Sequence, residues 1–124
     1  MQSVILSIAA LSGLSCIVLG ALGAHYLKPR LSEALMHSFD TAVLYQMVHT
    51  LVLLVLSLLI TRFPENDLFR WSAVCMIFGI IFFSGSIYVL SIWGYKIPGP
   101  VTPMGGFILM GAWGLLFLAG IKNL

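Results

Sequence analysis

The chain has 124 residues, of which 60% are hydrophobic and 8% are charged, and its formal net charge is +2. A soluble domain of this length could not bury so much apolar surface. The few, scattered charges offer no surface for nucleic acid. The composition therefore predicts a protein that lies within a lipid bilayer.

Four apolar runs are long enough to cross a bilayer as helices, at about 20 residues per crossing. They cover roughly residues 4–26, 39–61, 68–93 and 101–121. Backbone polar groups in lipid must be paired within their own segment, so each run is expected to be helical. The sequence thus predicts a single all-α domain, a four-helix transmembrane bundle with short loops.

The first run has features of a signal peptide, because Ala21-Leu22-Gly23 stands before Ala24 like a small-residue cleavage site. However, no lysine or arginine precedes the run. The run also exceeds the ~7–15 apolar residues of a usual signal-peptide core. We therefore expect a retained membrane-spanning helix.

Small residues recur at regular spacing on the first and last runs, which predicts close helix packing. The stripe on the first run is Ser12, Cys16, Gly20 and Ala24, and the stripe on the last run is Gly105, Ala112 and Ala119. Packing within the monomer is favoured over a dimer face, so an oligomer is possible but not predicted. We also expect Gly105 and Gly106 to be approached closely by the second or third helix.

The second run contains a histidine, His49, near its middle, with Tyr45 and Gln46 one turn before it. An ionisable group in hydrocarbon is costly, so it is expected to serve structure or function. Spacings of three and four residues place these side chains on one face of a helix, and Thr41 extends that face by one turn. We expect His49 to point into the bundle and to form a hydrogen bond with another helix.

Most other polar residues of the runs lie towards one end of the bundle, here called the far face, which carries the loops at residues 28–38 and 94–100. At 1.5 Å per residue, His49 lies about 15 Å below this face. The opposite half has few hydrogen-bonding side chains. The sequence therefore predicts a polar cluster in the far half, formed by His25, Thr41, Tyr45, Gln46, His49, Ser84, Ser86 and Thr102.

Three interpretations of this cluster stay open. Hydrogen bonds between helices would hold the bundle in register, and this interpretation is favoured. An intramembrane histidine is also typical of a transporter or channel for protons or a small polar solute. Alternatively, His49, Tyr45 and Ser84 could line a pocket for a lipid or quinone.

No pattern typical of catalysis appears, because the chain lacks a nucleophile–base pair, a phosphate-binding loop and paired carboxylates. His25 and His49 differ in depth, which is unsuitable for shared haem ligation. His25, Glu33, His37 and Asp40 match no strong metal-site pattern. We therefore expect no enzyme activity, no cofactor and no metal; the expected partner is the lipid bilayer, with a bound lipid or another membrane protein as further options.

Helix boundaries and orientation are indicated by a few residues. Ser32 is a candidate N-cap, so either a short interfacial helix precedes the second span or that span itself begins near Ser32. Thr102 and Pro103 are typical of an N-cap and first helical residue. Loop lysines and arginines divide three against three, and the terminal amine then favours cytoplasmic termini in a bacterial inner membrane.

Four separated motifs resemble the domain-of-unknown-function 423 family of small bacterial inner-membrane proteins, which is similar to the eukaryotic transmembrane protein 256. The resemblance covers nearly the whole chain in order. It implies a four-helix integral membrane protein and carries no established activity. The motifs are Gly20-Ala21-Leu22-Gly23-Ala24-His25, then Thr41-Ala42-Val43-Leu44-Tyr45-Gln46 with His49, then Phe83-Ser84-Gly85-Ser86 with Tyr88, and Thr102-Pro103-Met104-Gly105-Gly106.

Overall fold

The computed structural model describes residues 2–123, and these form four long helices joined by short connections. No β-strand occurs among them. All four helices are long and apolar enough to cross a membrane, so the predicted all-α four-helix membrane architecture is confirmed. The helices are α1 (Gln2–Leu22), α2 (Glu33–Arg62), α3 (Asp67–Tyr88) and α4 (Val101–Lys122).

The two helices that end at the far face both finish in a widened, π-helical turn. The first of these segments is Gly23–Leu27, closed by a 2.9 Å bond from the Lys28 N–H to the Gly23 carbonyl. The second is Val89–Trp93, and it ends at Gly94, whose φ of 70° suits glycine. The membrane spans therefore reach 2–27 and 67–93, slightly beyond the predicted ranges.

Helix α2 begins at Glu33, six residues before the predicted start at Phe39. The Ser32 hydroxyl caps it by accepting a 3.1 Å bond from the Leu35 N–H, which confirms the predicted cap. A single helix thus replaces the alternative of a separate interfacial helix. Thirty residues span about 45 Å, more than a hydrocarbon core of ~30 Å, so the charged first turns extend towards the polar surface.

The predicted capping role of Thr102 is wrong. Helix α4 already begins at Val101, with Pro100 at the N-cap position and no side-chain cap bond. Thr102 therefore lies within the first turn, where its hydroxyl reaches sideways and lies 2.5 Å from the Ser86 hydroxyl of α3.

The helices pack in chain order, with α1 on α2, α2 on α3, and α3 on α4. Their apolar core includes Leu53, Leu56 and Met76, all fully buried. Large apolar side chains cover the outside, such as Ile17 and Leu58, which are 69% and 72% exposed. Such a surface suits acyl chains rather than water.

Small residues bring α3 and α4 into the closest contact. A Cβ added to Gly105 would lie 2.7 Å from the Phe83 Cα, and one added to Gly79 would lie 2.6 Å from the Leu109 Cγ. Ala112 and Ala119 are fully buried in the same core. The stripe on α4 therefore serves packing within the monomer.

Only part of the small-residue stripe on α1 packs against other helices. Ser12 and Cys16 are turned towards the bundle, but a Cβ on Gly20 would meet nothing within 4 Å, and Ala24 is exposed. The prediction of close packing at Gly20 and Ala24 is therefore wrong. Because four residues turn a helix by about 400°, each step of the stripe drifts by roughly 40°. Gly23 makes the close contact instead, since its Cβ would lie 2.6 Å from the Phe39 Cε1.

Candidate functional site

Gln46 is the centre of the largest polar cluster and links three helices. Its amide nitrogen donates to the Ser15 hydroxyl at 2.8 Å, and to both the hydroxyl and the carbonyl oxygen of Ser12 at 3.1 Å. Its amide oxygen accepts a 2.6 Å bond from the Tyr88 hydroxyl of α3. Thr50 joins the same group, with its hydroxyl 2.7 Å from that of Ser12. These five residues, here called the Gln46 hub, connect α1, α2 and α3.

His49 belongs to a separate polar contact. The Trp113 indole N–H of α4 donates to its Nε2 at 3.0 Å, and its Nδ1 lies 2.6 Å from the Tyr45 carbonyl oxygen. Indole is only a donor and a carbonyl is only an acceptor. The imidazole therefore carries its hydrogen on Nδ1 and is neutral. A hydrogen on Nε2 as well would face the indole N–H of Trp113, and two donors cannot form a hydrogen bond with each other.

Two serines of α3 make further links between helices. The Ser84 hydroxyl is buried and donates to the Ala42 carbonyl of α2 at 2.8 Å. The Ser86 hydroxyl donates to the Phe83 carbonyl within its own helix at 2.9 Å. Because that bond uses its hydrogen, Thr102 is the donor in the bond between the Ser86 and Thr102 hydroxyls. Each link fixes a different helix pair.

Three residues of the predicted cluster lie outside these links. His25 is exposed at the far face. The Thr41 hydroxyl donates back to the His37 carbonyl of its own helix at 3.0 Å. The Tyr45 side chain is 41% exposed, and its ring stacks on Phe83 with the ring centroids 4.8 Å apart. The single convergent cluster predicted from the sequence is thus several separate contacts.

The half of the bundle opposite the far face also contains polar links, although the sequence predicts few hydrogen-bonding side chains there. Asn66 is buried in the turn between α2 and α3, caps α3 through the Leu68 N–H, and donates to the Ala119 carbonyl of α4 at 3.1 Å. Ser72 donates to the Ala112 carbonyl at 2.8 Å. The polar links therefore run along the whole α3–α4 contact.

A groove borders the His49 contact on the outer surface. It lies between α2 and α4, has a volume of about 530 Å³, and is lined by His49, Trp113, Tyr45, Phe83 and Gly106 among others. Its walls are mostly apolar. Ser84 is buried elsewhere and does not line it, so that part of the lipid-pocket prediction is wrong.

Sequence reasoning missed several participants in these contacts, although some had signals. Trp113 lies in the middle of a helix rather than at a membrane interface, where tryptophan is typical. Thr50 directly follows His49, and Tyr88 lies one turn after Ser84. Ser15, Ser72 and Asn66 gave no signal, because a single serine or a turn asparagine is common in any membrane helix or loop.

Within residues 2–123, no group of three or more histidine, cysteine, aspartate or glutamate side chains is placed to hold a metal ion. The same range contains one buried polar side-chain atom without a partner, the Ser91 hydroxyl in the second π-helical segment.

Four membrane-spanning helices joined by internal polar bonds define a small multi-pass membrane protein. The chain belongs to the family described as "Protein of unknown function (DUF423)", whose model matches residues 19–106. The chain is similar to a UPF0382 membrane protein of Staphylococcus epidermidis, with 37% identity over 121 residues and 98% of each chain covered.

Two further relatives come from other bacteria. The UPF0382 membrane protein YwdK of Bacillus subtilis is 32% identical over 123 residues, covering 99% of this chain and 100% of its own. The UPF0382 inner membrane protein YgdD of Escherichia coli is 35% identical over 114 residues, covering 92% and 86%. No solved structure gives a significant match. The chain is a multi-pass protein of the bacterial inner membrane.

Proposed function

We propose that this protein is a non-enzymatic, structural or accessory component of the membrane, in which the buried polar groups hold the helices in register. The observation that carries the proposal is the pairing of Gln46 and His49. The amide nitrogen and oxygen of Gln46 and both ring nitrogens of His49 are bonded inside the protein. A group that is fully paired in the fold is suited to fixing that fold.

The alternative of a proton or solute pathway has less support. A proton carrier must bind and release a proton, and here the proton-accepting nitrogen of His49 already accepts the Trp113 N–H. The polar contacts are also divided between helix pairs and do not form one chain of groups. The carboxylate nearest to His49 along α2 is that of Asp40, which is exposed more than two turns closer to the far face.

A flux measurement tests the two functions against each other. Wild type, His49→Gln and the control His37→Gln, at an exposed histidine, are reconstituted in liposomes under a pH gradient. The structural proposal expects no proton flux above that of protein-free liposomes from any of them. A wild-type flux that is lost in a folded His49→Gln variant and kept in His37→Gln would establish the transporter instead.

The same variant gives a stability measurement. The glutamine side-chain oxygen can still accept the Trp113 N–H, so much of the contact is retained. The bond from Nδ1 to the Tyr45 carbonyl and the packing of the imidazole on the Trp113 ring are lost, however. We therefore expect His49→Gln to lower the free energy of unfolding by about 1–2 kcal/mol, the scale of one interhelical hydrogen bond.

Binding of a lipid or quinone within the bilayer is a second candidate function, and the groove beside His49 favours it. Its volume of about 530 Å³ and its mostly apolar walls suit part of an acyl chain or of a quinone tail. This candidate is compatible with the structural role, because both ring nitrogens of His49 already have partners within the protein.

We further propose that both termini face the cytoplasm, on the charge argument given above. Whichever way the chain inserts, four crossings place the 63–66 turn on the same side as the termini. Cysteine labelling checks both points after the two native cysteines are replaced by alanine. Glu65→Cys and a cysteine added at the C-terminus are expected to react only from the cytoplasmic side, and labelling from opposite sides would contradict four crossings.

A further inference from the structure

Three hollows that share lining residues lie in a row along α4 and together make a groove. The groove beside His49 shares Phe83, Gly106 and Met110 with a second hollow of about 370 Å³. That hollow shares Thr102 and Pro103 with a third, of about 330 Å³, at the far face. The shared lining residues place the three hollows in sequence from the loop at residues 94–100 to Trp113.

The length of this path fits an acyl chain in one leaflet. Thr102 and Trp113 are eleven residues apart on α4, which corresponds to about 16 Å along the helix. Half of a hydrocarbon core of ~30 Å is about 15 Å. The groove therefore runs from the membrane interface to the middle of the bilayer, past mostly apolar side chains.

The mouth of the groove carries a positive charge. Lys96 lines the third hollow. It directly follows Tyr95 and comes three residues after Trp93; both aromatic side chains are exposed, and their type and position suit the headgroup level of a membrane. No acidic residue lines that hollow, and in the part of the chain that the structure describes no carboxylate is ion-paired with Lys96. The positive end of the α4 helix dipole lies at the same mouth and adds to the attraction for an anion.

We infer that the groove binds an anionic glycerophospholipid, with its phosphate at Lys96 and one acyl chain lying along α4 as far as Trp113. A negative headgroup complements the charge at the mouth, and the apolar path complements the tail. The inference rests on the second candidate function and names its ligand. Its failure would leave the structural role untouched, because that role is tested by stability and flux.

Fluorescence quenching of Trp113 by lipids with brominated acyl chains tests this inference. Trp71 and Trp93 are first replaced by phenylalanine, which leaves Trp113 as the single indole. The protein is reconstituted in phosphatidylcholine containing a small fraction of brominated phosphatidylglycerol or of brominated phosphatidylcholine. We expect the anionic lipid to be preferred at the Trp113 site by about fivefold, the effect of one lysine near an anionic headgroup.

Two pairs of variants separate the site from general lipid contact. Lys96→Gln should abolish the preference, whereas Lys28→Gln, the same charge change beside a different hollow of the far face, should retain it. Gly106→Leu should reduce quenching by both lipids, because it fills the groove where the nearest side-chain atom is 4.0 Å from an added Cβ. Gly111→Leu, at a position with open space, should not reduce it.

Equal quenching by the two lipids in the parent protein would overturn the headgroup assignment. Loss of the preference in Lys28→Gln as much as in Lys96→Gln would also overturn it, since general surface charge would then explain the effect. Undiminished quenching in a folded Gly106→Leu protein would overturn the assignment of the tail to the groove.

Discussion

The Gln46 hub and the His49–Trp113 contact lie one turn apart on α2 but differ in their surroundings. The hub joins three helices. Gln46 is 5% exposed, although Ser12 and Ser15 line an outer hollow between α1, α2 and α3. The His49 contact joins only two helices and forms part of the wall of an outer groove. Trp113 itself is 44% exposed.

The difference suggests that polar side chains within a membrane protein have two roles. In a hub that joins three helices, a broken bond between Gln46 and Tyr88 leaves a buried group unpaired, so the hub is suited to fixing helix positions. The His49 contact instead borders the groove in which the proposed lipid would lie. The following predictions ask whether the two regions contribute differently to stability.

The largest effect is expected at the α3–α4 contact, which holds α4 more firmly than the His49 bond does. In Gly105→Ala the new Cβ would lie 2.7 Å from the Phe83 Cα, a clash with backbone that no rotamer relieves. We expect the free energy of unfolding to fall by about 2–3 kcal/mol, as for overpacked cores. Titration of the folded protein in mild detergent with sodium dodecyl sulfate measures it.

The matched control is the adjacent glycine. Gly106→Ala places its Cβ 4.0 Å from the nearest Phe83 atom, so the stability should stay nearly unchanged or rise slightly through better helix propensity. Equal losses in the two variants would show that the close approach at Gly105 does not hold α4 in place.

The next effect in size is expected at the hub. Gln46→Leu replaces the amide that bonds with Tyr88 and Ser15 by an apolar side chain of similar size. Several interhelical bonds are lost together, so we expect a loss of about 2 kcal/mol. Thr41→Ala, which removes a bond within one helix turn, serves as the control and should change stability by less than about 0.5 kcal/mol. A Gln46→Leu loss no greater than that of the control would contradict the hub.

A smaller effect is expected at the groove wall. Trp113→Phe keeps a ring but removes the N–H that His49 accepts. Because α4 remains packed on α3, we expect a loss of about 1 kcal/mol. Trp93→Phe, at an indole that is 72% exposed, is the control and should be nearly neutral. If Trp113→Phe lowers the free energy of unfolding by more than Gln46→Leu does, the His49 contact and not the hub contributes more to stability.

The fold could be predicted because hydropathy alone determines where apolar helices cross a bilayer. The ends of the helices were harder to place, as α2 shows. Its first turns are polar enough to lie outside the hydrocarbon, so the apolar run starts at Phe39 although the helix starts at Glu33. The π-helical ends of α1 and α3 have no sequence pattern that distinguishes them from ordinary turns.

The polar residues could be found in the sequence, but their partners could not. Gln46 and His49 are three residues apart, which corresponds to a rotation of about 300°, so the two side chains diverge by roughly 60° around α2. That divergence sends Gln46 towards α1 and α3 and His49 towards α4. A shared helix face predicted from spacing is therefore too coarse to decide which neighbouring helix each side chain meets.

The central claim, that the buried polar groups hold the helices together, is tested most directly by the bond between Gln46 and Tyr88. A double-mutant cycle combines Gln46→Leu with Tyr88→Phe, which removes only the hydroxyl that donates at 2.6 Å. The cycle isolates the pair from the other bonds of the hub. We predict a coupling free energy of about 1 kcal/mol in favour of the intact pair. A coupling indistinguishable from zero, in variants that remain folded, would contradict the account.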